Sequence, residues 1–152
     1  MSRPAVPEAL LQASLGQVLF RAARLYNEAA LRRVQAGAAP KLRFAHTQLF
    51  PHLSTSGIRS SALAKRLGVS KQAVGPLLED LVDWGMVERV PDPSDRRASM
   101  VRLTPRGGEA ILHGLTVLGQ IEAELRGELG DGEMNRLHDT LSRLTVLLGD
   151  RG

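Results

Sequence analysis

Two short polar segments of the sequence carry the side chains best suited to recognising a ligand. One is Ser70-Lys71-Gln72, at the start of a predicted helix, and the other is Asp95-Arg96-Arg97, at the tip of a predicted hairpin. A glutamine amide can pair with the N6/N7 edge of adenine, and an arginine suits the negative potential of a narrow minor groove. A lysine beside a helix N-terminus suits a phosphate. These residue types indicate binding to a nucleic acid, with the helix in the major groove and the hairpin in the minor groove.

Each of these side chains also has a simpler explanation. We expect Ser70 to cap the helix, with or without a phosphate contact, and Gln72 to read a base unless it is an ordinary exposed glutamine. Asp95 would repel phosphate, so we expect it to pair with Arg97 or with the turn backbone and to orient that arginine. Arg96 is expected to contact phosphate or solvent. A solvated polar turn is the alternative for the whole tip.

The dipeptide Gly75-Pro76 is unusual inside a helix that is expected to read DNA. Pro76 has no N–H to donate to the carbonyl of Gln72, and its ring crowds that oxygen. Gly75 loosens the helix further. We expect a local kink that changes how the first turn enters the groove, with contact between Pro76 and a thymine methyl as the alternative. Both residues are therefore included among the predicted DNA contacts.

The elements that must position these residues follow from apolar periodicity and capping signals. Apolar residues recur at helical spacing through Leu11, Leu15, Val18, Ala22, Leu25 and Ala29. This stripe predicts a long helix from Pro7 to about Val34 with one continuous buried seam, longer than a small monomeric core needs. A second helix is expected from Leu42 to Leu53.

A helix-turn-helix and a hairpin are expected next. The segment 62–67, capped by Ser60 or Ser61 and ended by Gly68, is followed three residues later by the recognition helix, 70–84. Strands are expected over 86–90 and 99–104 with turn residues over 91–95, so that 91–99 forms the wing. Thr104-Pro105 starts another helix, and a last helix follows the break at Gly130-Asp131-Gly132.

Composition and charge agree with a mainly helical protein that faces a polyanion. Residues 1–53 carry seven Lys/Arg against two Asp/Glu, residues 54–107 carry nine against six, and residues 108–152 carry four against eight. A solubility pattern explains this asymmetry equally well by itself. The absence of cysteine excludes disulfides and thiolate chemistry, and no apolar run approaches the ~18 residues of a membrane span, so we expect a cytoplasmic protein.

The helix-turn-helix and the hairpin together resemble the MarR family of bacterial transcriptional regulators. The matching residues are Leu63-Ala64-x-x-Leu67-Gly68-Val69-Ser70-x-x-x-Val74, Leu81-x-x-x-Gly85-x-Val87-x-Arg89 and Asp95-x-Arg97-x-x-x-Val101-x-Leu103-Thr104-x-x-Gly107. Many winged families share the first of these patterns, whereas the wing pattern is far more diagnostic. The order of the predicted elements also fits the family from one end to the other.

The resemblance implies a mainly α fold with a small β-hairpin wing, in one MarR-like domain over residues 1–152. Residues 7–36 and 105–149 would form an interleaved helical dimerisation region, and residues 41–104 the winged helix-turn-helix. It further implies a homodimer on a palindromic double-stranded operator, repression, and control by a small ligand. The alternative is a winged-helix scaffold that binds a protein partner and reads no DNA.

Catalytic and metal-binding functions have no support in the sequence. It contains no H-E-x-x-H, Walker, G-x-G-x-x-G or G-x-S-x-G motif, and its four histidines lack metal-site spacing. We therefore expect neither an enzyme nor a bound metal or cofactor. A small effector is possible, and the candidate pocket residues between the dimerisation and reading parts are Arg24, Tyr26, His46 and Phe50.

Overall fold

Six helices and a three-stranded sheet make up the part of the chain that the computed structural model describes, which is residues 14–37 and 39–149 apart from the side chain of Arg96. The elements are α1 (Leu15–Gln35), α2 (Phe44–Thr47), β1 (Ile58–Arg59), α3 (Ser60–Leu67), α4 (Lys71–Asp83), β2 (Val87–Asp92), β3 (Asp95–Leu103), α5 (Pro105–Leu129) and α6 (Asp131–Gly149). The predicted mainly α class with a small β wing is confirmed.

The first helix is long, as predicted, but its apolar seam is buried only at one end. Ala30 and Val34 are buried, and they pack against α5 residues Val117 and Ile121. In contrast, Leu15, Val18 and Leu25 are 65%, 46% and 50% exposed. The prediction of a continuous buried seam is therefore wrong for the single chain, because α5 covers only the C-terminal part of α1. The predicted start at Pro7 lies outside the described residues.

The predicted second helix from Leu42 to Leu53 is replaced by two short pieces. Helix α2 spans only Phe44–Thr47, and a single 3-10 turn follows over Phe50–His52. Pro51 explains the break, because it has no N–H to continue an α-helical ladder but fits the start of a 3-10 turn.

The helix-turn-helix consists of α3 and α4, which are joined at Gly68. Gly68 adopts φ = 66°, a left-handed conformation that ends α3 without the steric cost of a side chain. The residue that caps α3 is Arg59, so the prediction of a Ser60 or Ser61 cap is wrong by one position. Both serines lie inside the helix.

The wing hairpin is longer and tighter than predicted. Strands β2 and β3 pair antiparallel from Val87↔Leu103 to Pro91↔Ser99. The register then shifts, and Asp92 pairs with Asp95, so only Pro93 and Ser94 form the turn. Asp92 stabilises this turn, because its Oδ1 accepts from the Ser94 N–H at 2.7 Å. The short β1 pairs with the other edge of β3 and gives the strand order β1-β3-β2.

Two apolar clusters organise the described residues. The reading-head cluster is built on the buried Leu49, Leu63, Leu78, Leu81, Val87 and Val101. The helical cluster contains Ala30, Val34, Leu42, Val117 and Ile121. Phe50 and Trp84 pack against both clusters and therefore connect the reading head with the long helices.

A close backbone contact joins the wing to α5. The Thr104 side chain accepts from the Gly107 N–H at 3.0 Å and donates to the Gly85 carbonyl at 2.6 Å, which confirms the predicted Thr104 cap. An ideal Cβ at Gly107 would lie 1.9 Å from the Met86 carbonyl oxygen. Only glycine allows α5 to begin this close to the end of the helix-turn-helix.

Candidate nucleic-acid interface

The first turn of α4 is an open helix N-terminus. Ser70 has the extended backbone of a cap (φ −73°, ψ 154°), and its hydroxyl accepts from the Ala73 N–H at 3.2 Å. Lys71, Gln72 and Ala73 are exposed. This turn presents N–H groups, a positive helix-dipole end, a lysine and an amide to solvent.

The direction of this turn is set by burial on the opposite face of the helix. Val74, Leu78 and Leu81 are almost fully buried in the reading-head cluster. Their spacing of four and three residues fixes the rotation of α4 about its axis. Gln72 and Pro76 consequently share the outer face, where both are exposed.

Helix α4 runs without interruption through Gly75-Pro76. Pro76 is its sixth residue, and the helix continues to Asp83. The carbonyl of Gln72 has no helical N–H partner at Pro76, since proline lacks that hydrogen. The predicted kink is a bend of the helix axis at Gly75-Pro76. The continuous helical span does not test such a bend, so the kink stays a prediction.

The wing carries Arg97 three residues after Ser94, the last residue of its turn. Asp95 Oδ1 accepts from the backbone N–H of Arg97 at 3.0 Å, so the aspartate contacts the backbone at that position. Among the described residues, no hydrogen-bond acceptor lies in range of the Arg97 guanidinium, which is exposed. The predicted contact of Arg96 rests on a side chain outside the described part of the chain.

Several other basic side chains near the interface are already paired. Arg102 Nε donates to Glu88 at 2.7 Å across the two wing strands. Arg89 forms an ion pair with Glu79 on the outer face of α4. These carboxylates offset the charge of two arginines, whereas Lys71 and Arg97 form no ion pair among the described residues.

The turn end of the wing is anchored to the helix-turn-helix by a contact that the sequence did not suggest. Arg59, the cap of α3, donates to the buried Asp92 carboxylate and, at 3.2 Å, to the Ser94 hydroxyl. The Arg59 guanidinium holds the pKa of Asp92 far below its usual range, and the hydrogen bonds from Ser94 lower it further. Arg59 and Asp92 lie 33 residues apart, so no local pattern signals this contact.

A second polar contact ties α4 to the segment that precedes it. His46 is fully buried, and its Nε2 lies 3.0 Å from Asp80 Oδ2 on α4. Arg43 Nη2 donates to the same oxygen at 2.7 Å. The hydrogen bond from His46 lowers the pKa of Asp80, and Arg43 lowers it further.

A cavity of about 820 Å³ lies between the reading head and the long helices. Its lining is mostly apolar and includes Leu31, Val34, Phe50, Trp84, Ile111 and Leu115, with Asn27, Lys41, Arg106 and His113 as polar groups. A volume of this size suits a small organic ligand.

Of the four predicted pocket residues, only Phe50 lines this cavity. His46 points instead to Asp80, the Tyr26 hydroxyl donates to the Leu118 carbonyl at 3.1 Å, and Arg24 pairs with Glu28 on the exposed side of α1. The prediction is therefore corrected for Arg24, Tyr26 and His46. Helix rotation, which depends on tertiary packing, turns these side chains away.

A helix pair with an exposed second N-terminus, followed by a basic hairpin and backed by a small sheet, defines a winged helix-turn-helix. The model of the MarR family matches residues 42–98, which contain both helices and the wing tip. Residues 42–98 of this chain are therefore similar to the winged helix-turn-helix of the MarR family.

Solved structures of that family share the fold over most of the chain. The reduced form of MarR from E. coli has 24% identity and a TM-score of 0.74, covering 86% of this chain and 96% of that one. The transcriptional repressor CouR, solved on a 23-mer DNA duplex, has 24% identity and a TM-score of 0.66, covering 95% and 99%.

Sequence relatives agree over a shorter stretch. The uncharacterised HTH-type transcriptional regulator YdgJ of Bacillus subtilis is 32% identical over 87 residues, which are 57% of this chain and 53% of YdgJ. The chain thus spans about half the length of the curated relatives it matches. No helix among the described residues combines the length and the apolarity needed to cross a bilayer.

Proposed function

We propose that this protein is a homodimeric, sequence-specific DNA-binding regulator that represses transcription and is relieved by a small ligand. The observation that carries the proposal is the exposed first turn of α4 beside the Arg97 wing, both anchored to one reading head. An exposed helix N-terminus suits the major groove of a duplex, and an exposed guanidinium that has no acceptor among the described residues suits the minor groove.

The homodimer is supported by apolar surface that the single chain leaves uncovered. In the 19-residue helix α6, only Met134 is buried, although Leu137, Leu141, Leu144 and Leu148 continue the same stripe. Leu15, Val18 and Leu25 of α1 and Leu125 and Leu129 of α5 are also exposed. Such contiguous apolar surface is typical of an interface, and a second copy of the chain offers a complementary set of helices.

Relief by a ligand is supported by the position of the cavity. Helices α1 and α5 and the residues Phe50 and Trp84 of the reading head all line it, so an occupant would contact both halves of the protein. A ligand that favours one arrangement of these halves would shift the protein towards that arrangement. Repression itself is proposed by analogy with CouR, which is described as a transcriptional repressor.

Selection of genomic fragments by the purified protein, followed by footprinting, tests the proposal. We expect protected half-sites whose centres are about 10 base pairs, or a multiple of that, apart, because a symmetric dimer presents two α4 helices to one face of the duplex. Affinity for the selected site should fall steeply with salt as phosphate counterions are released. A folded dimer that enriches no sequence and binds with a flat salt dependence would contradict the proposal and favour a protein-binding scaffold.

A further inference from the structure

Both ring nitrogens of the buried His46 are engaged, and the geometry fixes its tautomer. The backbone N–H of Arg43 donates to Nδ1 at 3.0 Å, so Nδ1 carries no proton in this arrangement. The ring hydrogen is therefore on Nε2, which donates to Asp80 Oδ2 at 3.0 Å. The His46 ring thus connects the residue before α2, Arg43, with Asp80 in the second half of α4.

Residues next to both partners of this hydrogen bond line the cavity. Thr47 and Phe50, which follow His46, line the cavity, and so does Trp84, which follows Asp80 by one helical turn. The Trp84 ring meets the His46 ring edge-on, with 4.8 Å between centroids. An occupant that displaces Trp84 would therefore disturb a ring that packs directly on His46.

We propose that His46 is a positioning residue that transmits occupancy of the cavity to the recognition helix α4 through its hydrogen bond to Asp80. This inference rests on the proposed function, and it adds the physical route by which ligand relief acts. The bistable part is the pose of α4. With the His46 bond made, His46 and Arg43 both hold Asp80 against the segment 43–50. With that bond broken, the Arg43–Asp80 ion pair and the apolar face of α4 hold the helix there. A histidine that merely fills the core would make no such connection between the cavity and α4.

The test fills the cavity by mutation, since its natural occupant is unidentified. Gly114 lies on α5 and lines the cavity, and a Cβ built there meets nothing within 4 Å. Gly114→Phe therefore adds a benzyl group to the cavity without a backbone clash. Trp84 is the single tryptophan of the chain, so a change in its fluorescence reports that the cavity has been filled.

Matched variants of Asp80 separate the hydrogen bond from the charge. Asp80→Ala removes the acceptor, whereas Asp80→Asn keeps an acceptor oxygen and removes the same negative charge from the surface near DNA. The side chain is 37% exposed, so neither change opens the core, and circular dichroism checks that both variants keep their helix content. Gly114→Phe is placed in the wild-type, Asp80→Asn and Asp80→Ala backgrounds.

Two readouts are compared, namely amide hydrogen exchange across residues 71–83 and affinity for the selected operator. In the wild-type and Asp80→Asn backgrounds, Gly114→Phe should change both by about fivefold or more, the usual size of an allosteric coupling. In the Asp80→Ala background it should still shift Trp84 fluorescence but leave both readouts within about twofold. The dependence of a cavity mutation on Asp80 is what a purely structural histidine would not produce.

The outcomes distinguish this inference from the proposed function. Equal effects of Gly114→Phe in Asp80→Ala and Asp80→Asn, or no effect on α4 exchange in wild type despite shifted Trp84 fluorescence, would overturn the inference. Coupled exchange in a protein that selects no DNA would support the link and refute the proposed function. Operator binding without Asp80-dependent coupling would support the proposed function and refute the link through His46.

Discussion

Replacing Gly107 by alanine should destabilise the protein far more than the same change at its neighbour Gly108. Gly107 lies in the first turn of α5, where the helix passes directly over the Met86 carbonyl. A Cβ at Gly107 would lie 1.9 Å from the carbonyl oxygen, 2.8 Å from its carbon and 3.1 Å from Leu103 Cδ2. At Gly108 a Cβ meets nothing within 4 Å.

The size of the effect follows from what must move. The first distance is about 1 Å shorter than the closest contact that a real Cβ makes, so the backbone of α5 or of Met86 has to shift. The same Met86 oxygen accepts from the Thr104 N–H at 3.1 Å and from its hydroxyl at 3.2 Å. Overpacking costs about 1–3 kcal/mol and each weakened hydrogen bond about 1 kcal/mol, so we expect a loss of roughly 3–5 kcal/mol in the free energy of unfolding.

Urea unfolding followed by far-UV circular dichroism measures this loss. All variants should be compared at one protein concentration, because the proposed dimerisation would couple stability to concentration. With a slope near 2 kcal/mol per molar urea, the midpoint of Gly107→Ala should fall by about 2 M. Gly108→Ala should leave the midpoint unchanged or raise it slightly, since alanine is the better helix former by up to about 1 kcal/mol.

Equal midpoints for Gly107→Ala and wild type would refute the argument, because the contact with Met86 could then not be as close as the structure has it. Equal losses in both variants would also refute it, since they would place the cost in helix propensity or in the unfolded chain rather than in the contact.

Three further predictions concern the wing, its anchor and the dimer. Arg97→Ala should weaken operator binding by about 1–3 kcal/mol, measured by fluorescence anisotropy, with helix content and dimer mass unchanged. Asp92→Asn should be less stable than wild type at pH 7, and the gap in urea midpoint should shrink as the pH falls below about 4. The sign follows from the depressed pKa of Asp92: its stabilising contacts are complete above the ordinary carboxyl pKa and are lost as the carboxylate is protonated. Leu137→Glu should lower the sedimentation mass towards that of the monomer, because it places a charge on the exposed stripe of α6.

Each of these predictions has a specific contradiction. Arg136→Ala removes the same charge from α6 instead of from the wing. An equal loss of affinity in this variant would mean that Arg97 contributes only through the net charge of the protein and not through a local contact with DNA. If the difference in urea midpoint between wild type and Asp92→Asn did not change with pH, the negative charge of the Asp92 carboxylate would contribute nothing to stability. Ser142→Glu adds a charge to α6 away from the leucine stripe, and dissociation by this variant as well would argue against the stripe as the interface.

Much of the reading head could be predicted from the sequence because its signals are local. Ser70, Gly68 and Thr104 specify where helices begin and end, and these choices depend on a few neighbouring residues. The apolar spacing of Val74, Leu78 and Leu81 likewise determines which face of α4 turns inward. The wing motif includes Gly107 for a reason that becomes visible only when Met86, 21 positions earlier in the chain, lies against it.

Local signals failed where a distant residue sets the outcome. The second helix is a different case, because Pro51 lies inside the predicted span and breaks it locally. Arg24 and Tyr26 were misplaced because the sequence gives the periodicity of α1 but not its rotation against α5, and His46 because its partner Asp80 lies on a distant helix. The Arg59–Asp92 and His46–Asp80 contacts join residues 33 and 34 positions apart. The type of a single charged or polar residue does not indicate which distant residue it will contact.

The sequence by itself thus determined the class of fold, the helix α4 with its cap, and the polar residues exposed on its first turn and on the wing, since all of these follow from short-range backbone preferences and side-chain chemistry. Tertiary structure alone decided which side chains line the cavity, how the wing is anchored and how α4 is linked to the segment before it. Those features depend on the relative placement of whole elements, and that placement is set by the packing of two apolar clusters rather than by any one segment of the chain.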